Sequence, residues 1–156
     1  MTGNGGGGKS VLARHLGALV GLPVHEIDDI QWIQPGWVAV AEDEVRHRHD
    51  EILSRQRWLI DGWGPWDTIE SRFAQADTII VVDMPLWRHY LWATRRALQT
   101  RRYPVVRLYR AMWKVHHAAM PRVRQLMMGQ ADTRVVYLRT PREIRDFIND
   151  TARQAC

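Results

Sequence analysis

At 156 residues the chain is long enough for one domain with a hydrophobic core and too short for two ordinary ones. A hydrophobic fraction of 46% with 25% charged residues argues against a disordered or fibrous chain, and no apolar run nears the roughly 18 residues that span a bilayer. The net charge of +5, carried mostly by arginine, suits phosphate-bearing partners, and the single cysteine, Cys156, leaves no intramolecular disulfide and no cysteine-built metal site.

The first element is a glycine run, Gly3-Asn4-Gly5-Gly6-Gly7-Gly8-Lys9-Ser10, opening into a helix whose Val11, Leu12, Leu16, Leu19 and Val20 recur at helical spacing until Gly21 and Pro23. This start lacks the apolar stretch of a signal peptide, so a cytoplasmic location is expected. PVHEID is a short extended segment ending at Asp28-Asp29, followed by the turn-rich QWIQPGW. A polar helix spans about 41–55, WLID (58–61) reads as a buried strand, and TIESRFAQA as a short helix. DTIIVVD (77–83) is the strongest strand, rich in β-branched residues. Pro85 starts a helix to about Thr100, and a second helical stretch runs from about Val105 to the region of Pro121. RVVYLRT (134–140) and PREIRDFINDTA close the chain as strand and helix. Strands alternating with helices predict a single three-layer α/β domain with a largely parallel sheet.

The glycine run satisfies G-x-x-x-x-G-K-[ST] in full. Glycines let backbone N–H groups turn toward a phosphate without Cβ clashes, and a helix N-terminus favours anions. In that chemistry Gly3, Asn4, Gly5, Gly6, Gly7 and Gly8 cradle the nucleotide, Lys9 neutralises its β/γ oxygens, and Ser10 takes a Mg²⁺ position. The metal also needs a strand-end carboxylate. Asp61 and Asp83 both qualify, with Asp61 preferred because Gly62 follows it. Asp28 either addresses the acceptor hydroxyl or caps the next turn. Arg88 and Arg95, seven apart on one helical face, either cover transferred charge or lie on a solvated face; the basic run 88–124 also offers a surface to nucleic acid. Trp32, Trp37, Trp63 and Trp66 either stack on a base or pack the core, and His47, His49, His116 and His117 lack a metal-binding pattern.

GNGGGGKSVLARHLGALVGLPVHEIDDIQWIQPGWV, RWLIDGWG and ADTIIVVDMPLWRHYLWATRR resemble the adenylate-kinase-like P-loop proteins labelled "DNA topology modulation protein" or FlaR-related, and the resemblance returns at RVVYLRTPREIRDFI. It implies a P-loop NTPase fold of nucleotide-kinase type with strand order 2-3-1-4-5, ATP and Mg²⁺ at the loop, and a helical lid-like segment at about 86–128. It matches Lys9 and Ser10 to the loop lysine and magnesium serine, Asp61-Gly62 to the D-G ending the third strand, and Arg95 or Arg96 to lid-base arginines. The implied activity is transfer of the ATP γ-phosphoryl group to a small hydroxyl- or phosphate-bearing acceptor such as a nucleoside or nucleotide. The alternative is a basic ATP- or nucleic-acid-binding regulator with little catalysis. No membrane partner is expected. Two departures stand out: the region 97–104 is short, and the strand that ordinarily precedes the loop is missing, since only Met1 and Thr2 stand before Gly3. A gap at the sheet centre would leave backbone groups unpaired, so weak ATP binding is expected of this chain, and in-frame apolar codons upstream would mark Met1 as a misassigned start.

Overall fold

The computed structural model describes residues 1–33, 36, 38–100, 105–130 and 132–155, apart from the side chains of Arg96, Gln99, Thr100, Val105 and Arg107. Expectations that rest on Trp37, Arg101, Arg102, Cys156 or the Arg96 and Arg107 side chains therefore fall outside the described residues. In chain order come β1 (Thr2–Gly3), α1 (Lys9–Val20), β2 (Val24–Glu26), α2 (Ile27–Gln31), β3 (Trp32–Ile33), β4 (Val38–Ala39), α3 (Glu42–Leu53) and β5 (Leu59–Asp61). There follow α4 (Trp66–Gln75), β6 (Thr78–Val82), α5 (Leu86–Thr100), α6 (Val105–Lys114), a π-helical turn (Val115–Ala119), α7 (Met120–Met128), β7 (Arg134–Leu138) and α8 (Pro141–Ala155).

β6 is the spine of the sheet. It pairs in parallel with β7 over all five residues, and on its other side with β1, Thr2 opposite Val81 and Gly3 opposite Val82. β2 and β5 form a second parallel ladder, Val24 opposite Leu59 through Glu26 opposite Asp61. Backbone hydrogen bonds from the Met1 amine to the Ile60 carbonyl, and from the Gly62 N–H to the Met1 carbonyl, connect that ladder to β1. The first strand is thus not missing altogether, as the sequence suggested. Two residues suffice to pair because Val81 and Val82 present a free strand edge to them. A further departure is an antiparallel hairpin whose β3 lies in the stretch read as turns and whose β4 follows it directly.

Side chains alternate along each strand, which sorts the core into layers. Ile80, Val82, Val136 and Leu138 face Leu12, Ala13 and Leu16 of α1 and Ile144, Phe147 and Ile148 of α8. Ile79, Val81, Val135 and Tyr137 face Ile69 and Phe73 of α4 and Met120, Val123 and Met127 of α7. Burial of α7 makes that part of the 86–128 segment a layer of the core. α8 is capped by side chains: the Thr140 hydroxyl accepts from the Glu143 N–H, and the Glu143 carboxylate accepts from the N–H of Arg139, the residue before the cap. The helical run from Val105 to Met128 passes Pro121 through the π-turn just before it, because Pro121 has no N–H to give to an α-helical bond.

His49 of α3 is fully buried; its Nδ1 lies 3.5 Å from an Asp50 carboxylate oxygen, and its Nε2 has no hydrogen-bond partner. Burial, and repulsion from Arg72, hold it below the usual histidine range despite Asp50 and Asp67 nearby. The unfolded chain accepts the proton near pH 6.5 and the folded chain resists it, so stability from this group is complete above that pH and lost as the pH falls below it. His49→Leu should lose less stability than wild type between about pH 7.5 and about pH 5.5 in urea unfolding. An equal or greater loss contradicts this assignment.

Candidate active site at the phosphate loop

The loop between β1 and α1 begins where backbone crowds backbone. Gly3 has φ 137°, and a Cβ there would stand 2.2 Å from the Val82 carbonyl oxygen, so only glycine lets β1 lie this close to β6. Gly8, in the left-handed region at φ 75°, caps α1, and a Cβ on it would meet nothing within 4 Å. The mouth of the loop is therefore open where an anion would approach the helix N-terminus.

Three side chains fasten the loop's carbonyls from behind. The Trp63 indole N–H donates to Gly3 O at 2.9 Å, Lys9 Nζ donates to Asn4 O at 2.8 Å, and His89 Nδ1 lies 2.9 Å from Gly5 O. A carbonyl only accepts, so His89 carries its proton on Nδ1. Burial keeps His89 below the normal histidine range, with Lys9 and His116 adding repulsion against its backbone bonds. Buried Asn4 receives the Gly5 N–H on Oδ1 at 2.8 Å and donates from Nδ2 to Met112 O at 2.9 Å. The loop is thereby joined to both α5 and α6.

Beside it, Ser10 Oγ donates to Asp61 Oδ2 at 2.8 Å. Asp61 is 3% exposed, and its Oδ1 is buried without a hydrogen-bond partner. A buried carboxylate oxygen without a partner, next to a hydroxyl, is the hard-oxygen donor set that Mg²⁺ uses when phosphate and water complete its shell, so Ser10 and Asp61 fit that ion. Asp83, the other carboxylate considered, is taken up by Arg124 at 2.6 Å.

The charges around Asp61 balance one another. Burial lowers Lys9 from its ordinary range against the pull of Asp61 and Asp28. Arg72, 3% exposed, donates from Nη2 to the carbonyls of Gly62 at 2.7 Å and Trp63 at 2.8 Å, and burial pushes it down to about 10 despite Asp61. Asp28 lies in the first turn of α2, not at a strand end, because β2 gives way to helix after Glu26. Its carboxyl opens to solvent, yet partial desolvation raises it above the usual range against the pull of Lys9, with Asp61, Glu26 and Asp29 adding repulsion.

The arginines assigned to the transferred charge both lie on α5. Arg88 lies with its guanidinium 4.8 Å from the Trp87 ring, and exposed Arg95 makes no hydrogen bond or ion pair among the described residues. In the basic run, Arg122 stacks 4.1 Å over Trp66 and bonds Glu70, so part of that charge is already paired. Trp63 and Trp66 meet edge to face at 6.3 Å and pack on the α4–α7 core. On the other side of the loop, Gly7, Gly8, Val11, His15, Trp92 and Ile148 line an apolar hollow of about 400 Å³. Arg72 and His89 were not singled out from the sequence. The one local signal for Arg72 was its place between Ile69 and Phe73 on the buried stripe of α4.

No family model and no curated protein matches the chain. Among solved structures, a gluconokinase from Sinorhizobium meliloti 1021 superposes with a TM-score of 0.57 at 17% identity, over 99% of this chain and 90% of that one. Among the described residues, no helix is long and apolar enough to cross a membrane. At such identity the likeness concerns the α/β fold alone and does not extend to the DNA topology label.

Proposed function

We propose that the chain binds Mg·ATP at Gly3–Ser10 and transfers the γ-phosphoryl group to a small hydroxyl- or phosphate-bearing acceptor. The observation that carries this reading is the 2.8 Å contact of Ser10 with buried Asp61, beside Lys9 at a glycine-lined helix N-terminus. In this reading the two ladders are one sheet in the order β2-β5-β1-β6-β7, supported by the bonds of Met1 to Ile60 and Gly62, with the loop at its centre.

Lys9 exchanges its bond to Asn4 O for the β/γ-phosphate oxygens, and burial strengthens that attraction. Ser10 and Asp61 would hold Mg²⁺, which would supply positive charge to offset that of the phosphates. The nucleobase rests in the hollow against Val11 and Trp92, where apolar and aromatic surface adjoins the phosphates. An acceptor hydroxyl attacks the γ-phosphorus in line; the bond from that phosphorus to the β–γ bridging oxygen breaks, ADP leaves, and the hydroxyl proton passes to Asp28. The raised Asp28 carboxyl is suited to receiving it. Arg88 and Arg95 supply further charge from α5. The structural neighbour is named a gluconokinase, so polyhydroxy acids join nucleosides and nucleotides as acceptors to screen.

Lys9→Ala should weaken Mg·ADP binding by about 10- to 100-fold, the worth of a charge-assisted hydrogen bond, and abolish ATP-dependent phosphorylation. Calorimetry and product analysis with a panel of acceptors measure both, and wild-type-like turnover in the variant would sink the proposal. Asp61→Asn should leave nucleotide binding without Mg²⁺ nearly unchanged while removing the tightening that Mg²⁺ brings; equal Mg²⁺ dependence in the two proteins excludes Asp61 from the metal site. Binding of Mg·ADP should also quench tryptophan fluorescence in wild type and do so less in Trp92→Phe, and an undiminished quench would move the base out of the hollow.

A further inference from the structure

The stretch Gly5-Gly6-Gly7-Gly8 carries no Cβ, and glycine takes positive and negative φ alike, so sterics alone leave each of its peptide planes free to turn over. A trans peptide is planar, with its C=O and N–H on opposite sides, so whatever holds the carbonyl also aims the amide. For an anion the two orientations are opposites: an N–H turned toward it attracts, and a carbonyl turned toward it repels.

The side chains that fasten the loop are not equivalent in this respect. Trp63 holds Gly3 O, ahead of the glycine stretch, and Lys9 holds Asn4 O with an ammonium that a bound phosphate would draw away. Asn4 Oδ1 takes the Gly5 N–H at 2.8 Å. The next amide, the Gly6 N–H, donates to no protein group among the described residues. Its peptide plane is held from the other end, where His89 Nδ1 meets Gly5 O at 2.9 Å. That imidazole is fully buried and closely fitted to the loop: a Cβ on Gly7 would lie 2.9 Å from its Cε1, and a Cβ on Gly6 would lie 3.1 Å from the His89 carbonyl oxygen. Its Nε2 is buried without a hydrogen-bond partner. The tautomer with the proton on Nε2 would therefore strand that proton and set the Nδ1 lone pair against those of Gly5 O. With Gly5 O fixed on the ring, the Gly6 N–H points away from it.

We propose that His89 is a positioning residue of the nucleotide site: its Nδ1–H fixes the Gly5–Gly6 peptide so that the Gly6 N–H is presented to the phosphate chain. The imidazole touches no phosphate and acts through that peptide. Without the bond the plane turns over freely, and in the turned state the loop loses a donor and sets a carbonyl against the anion. The inference rests on Gly3–Ser10 being a phosphate loop, and adds the group that selects its binding conformation.

The probe is inorganic pyrophosphate in EDTA, which offers phosphate oxygens without base or metal, read by calorimetry and by NMR of the full chain. His89→Asn keeps a donor near the place of Nδ1 and should bind within about threefold of wild type, whereas His89→Gln, with its donor nearer the place of Nε2, and His89→Leu should bind about 10-fold more weakly. In wild type the imidazole nitrogen shifts should show Nδ1 protonated near neutral pH, and pyrophosphate should move the Gly6 amide proton downfield. Both wild-type measurements hold even where a variant fails to fold. An Asn variant as weak as the Leu variant, a Leu variant as tight as wild type, or an unprotonated Nδ1 would overturn the positioning role while leaving the phosphate loop in place. So would a Gly6 amide that stays still while its loop neighbours respond. A wild-type chain whose affinity and loop amides both ignore pyrophosphate would overturn the phosphate loop itself, and the role of His89 with it.

Discussion

Three residues of backbone hold the candidate site to the rest of the molecule. Met1 bridges β5, Thr2 and Gly3 pair with Val81 and Val82, and the loop starts at once. This short wedge sets the distance between the helix N-terminus and Asp61 on the neighbouring strand. Its tolerance is small, because Gly3 lies against the Val82 carbonyl where no side chain fits. A peptide link this brief confers little rigidity by itself, so the remaining order has to come from elsewhere.

It comes from side chains reaching the loop from distant parts of the chain. Trp63 and His89 hold carbonyls two residues apart, and Asn4 ties the turn to α6 through Met112. The Asn4 bond is buried and the other two are partly so, and removing a partner from the buried one would strand the other group without water. The loop and the α5–α6 helices consequently move as one body or pay the cost of separating. Lys9 and Arg72 face Asp61 in the same low-dielectric region, which makes the local charge balance sensitive to any anion that arrives.

Much of this was legible beforehand, for physical reasons. The glycine run with Lys9 and Ser10 is a local pattern, and a loop at a helix start needs only neighbours in sequence. WLID and TIIVVD announced strands through β-branched and apolar runs, and the glycine after Asp61 favoured it over Asp83, which the structure pairs with Arg124. What could not be read were interactions across the chain. His89 lies 84 positions from Gly5, and Asn4 lies 108 from Met112, so no spacing rule joins them. Arg72 resembles a solvated arginine until α4 turns it inward. Asp28 was read as a strand end because β2 is only three residues long and its boundary with α2 carries no glycine or proline to mark it.

The central claim is that the loop, Ser10 and Asp61 form one site for a metal-bound nucleotide. A crystal structure of the chain grown with Mg·ADP tests it most directly. The account requires the β-phosphate within hydrogen-bond reach of the loop amides and Lys9 Nζ, with the metal on Ser10 Oγ and adjacent to Asp61. Nucleotide bound elsewhere, or a loop whose Ser10–Asp61 contact persists unchanged with no phosphate near Lys9, would contradict it.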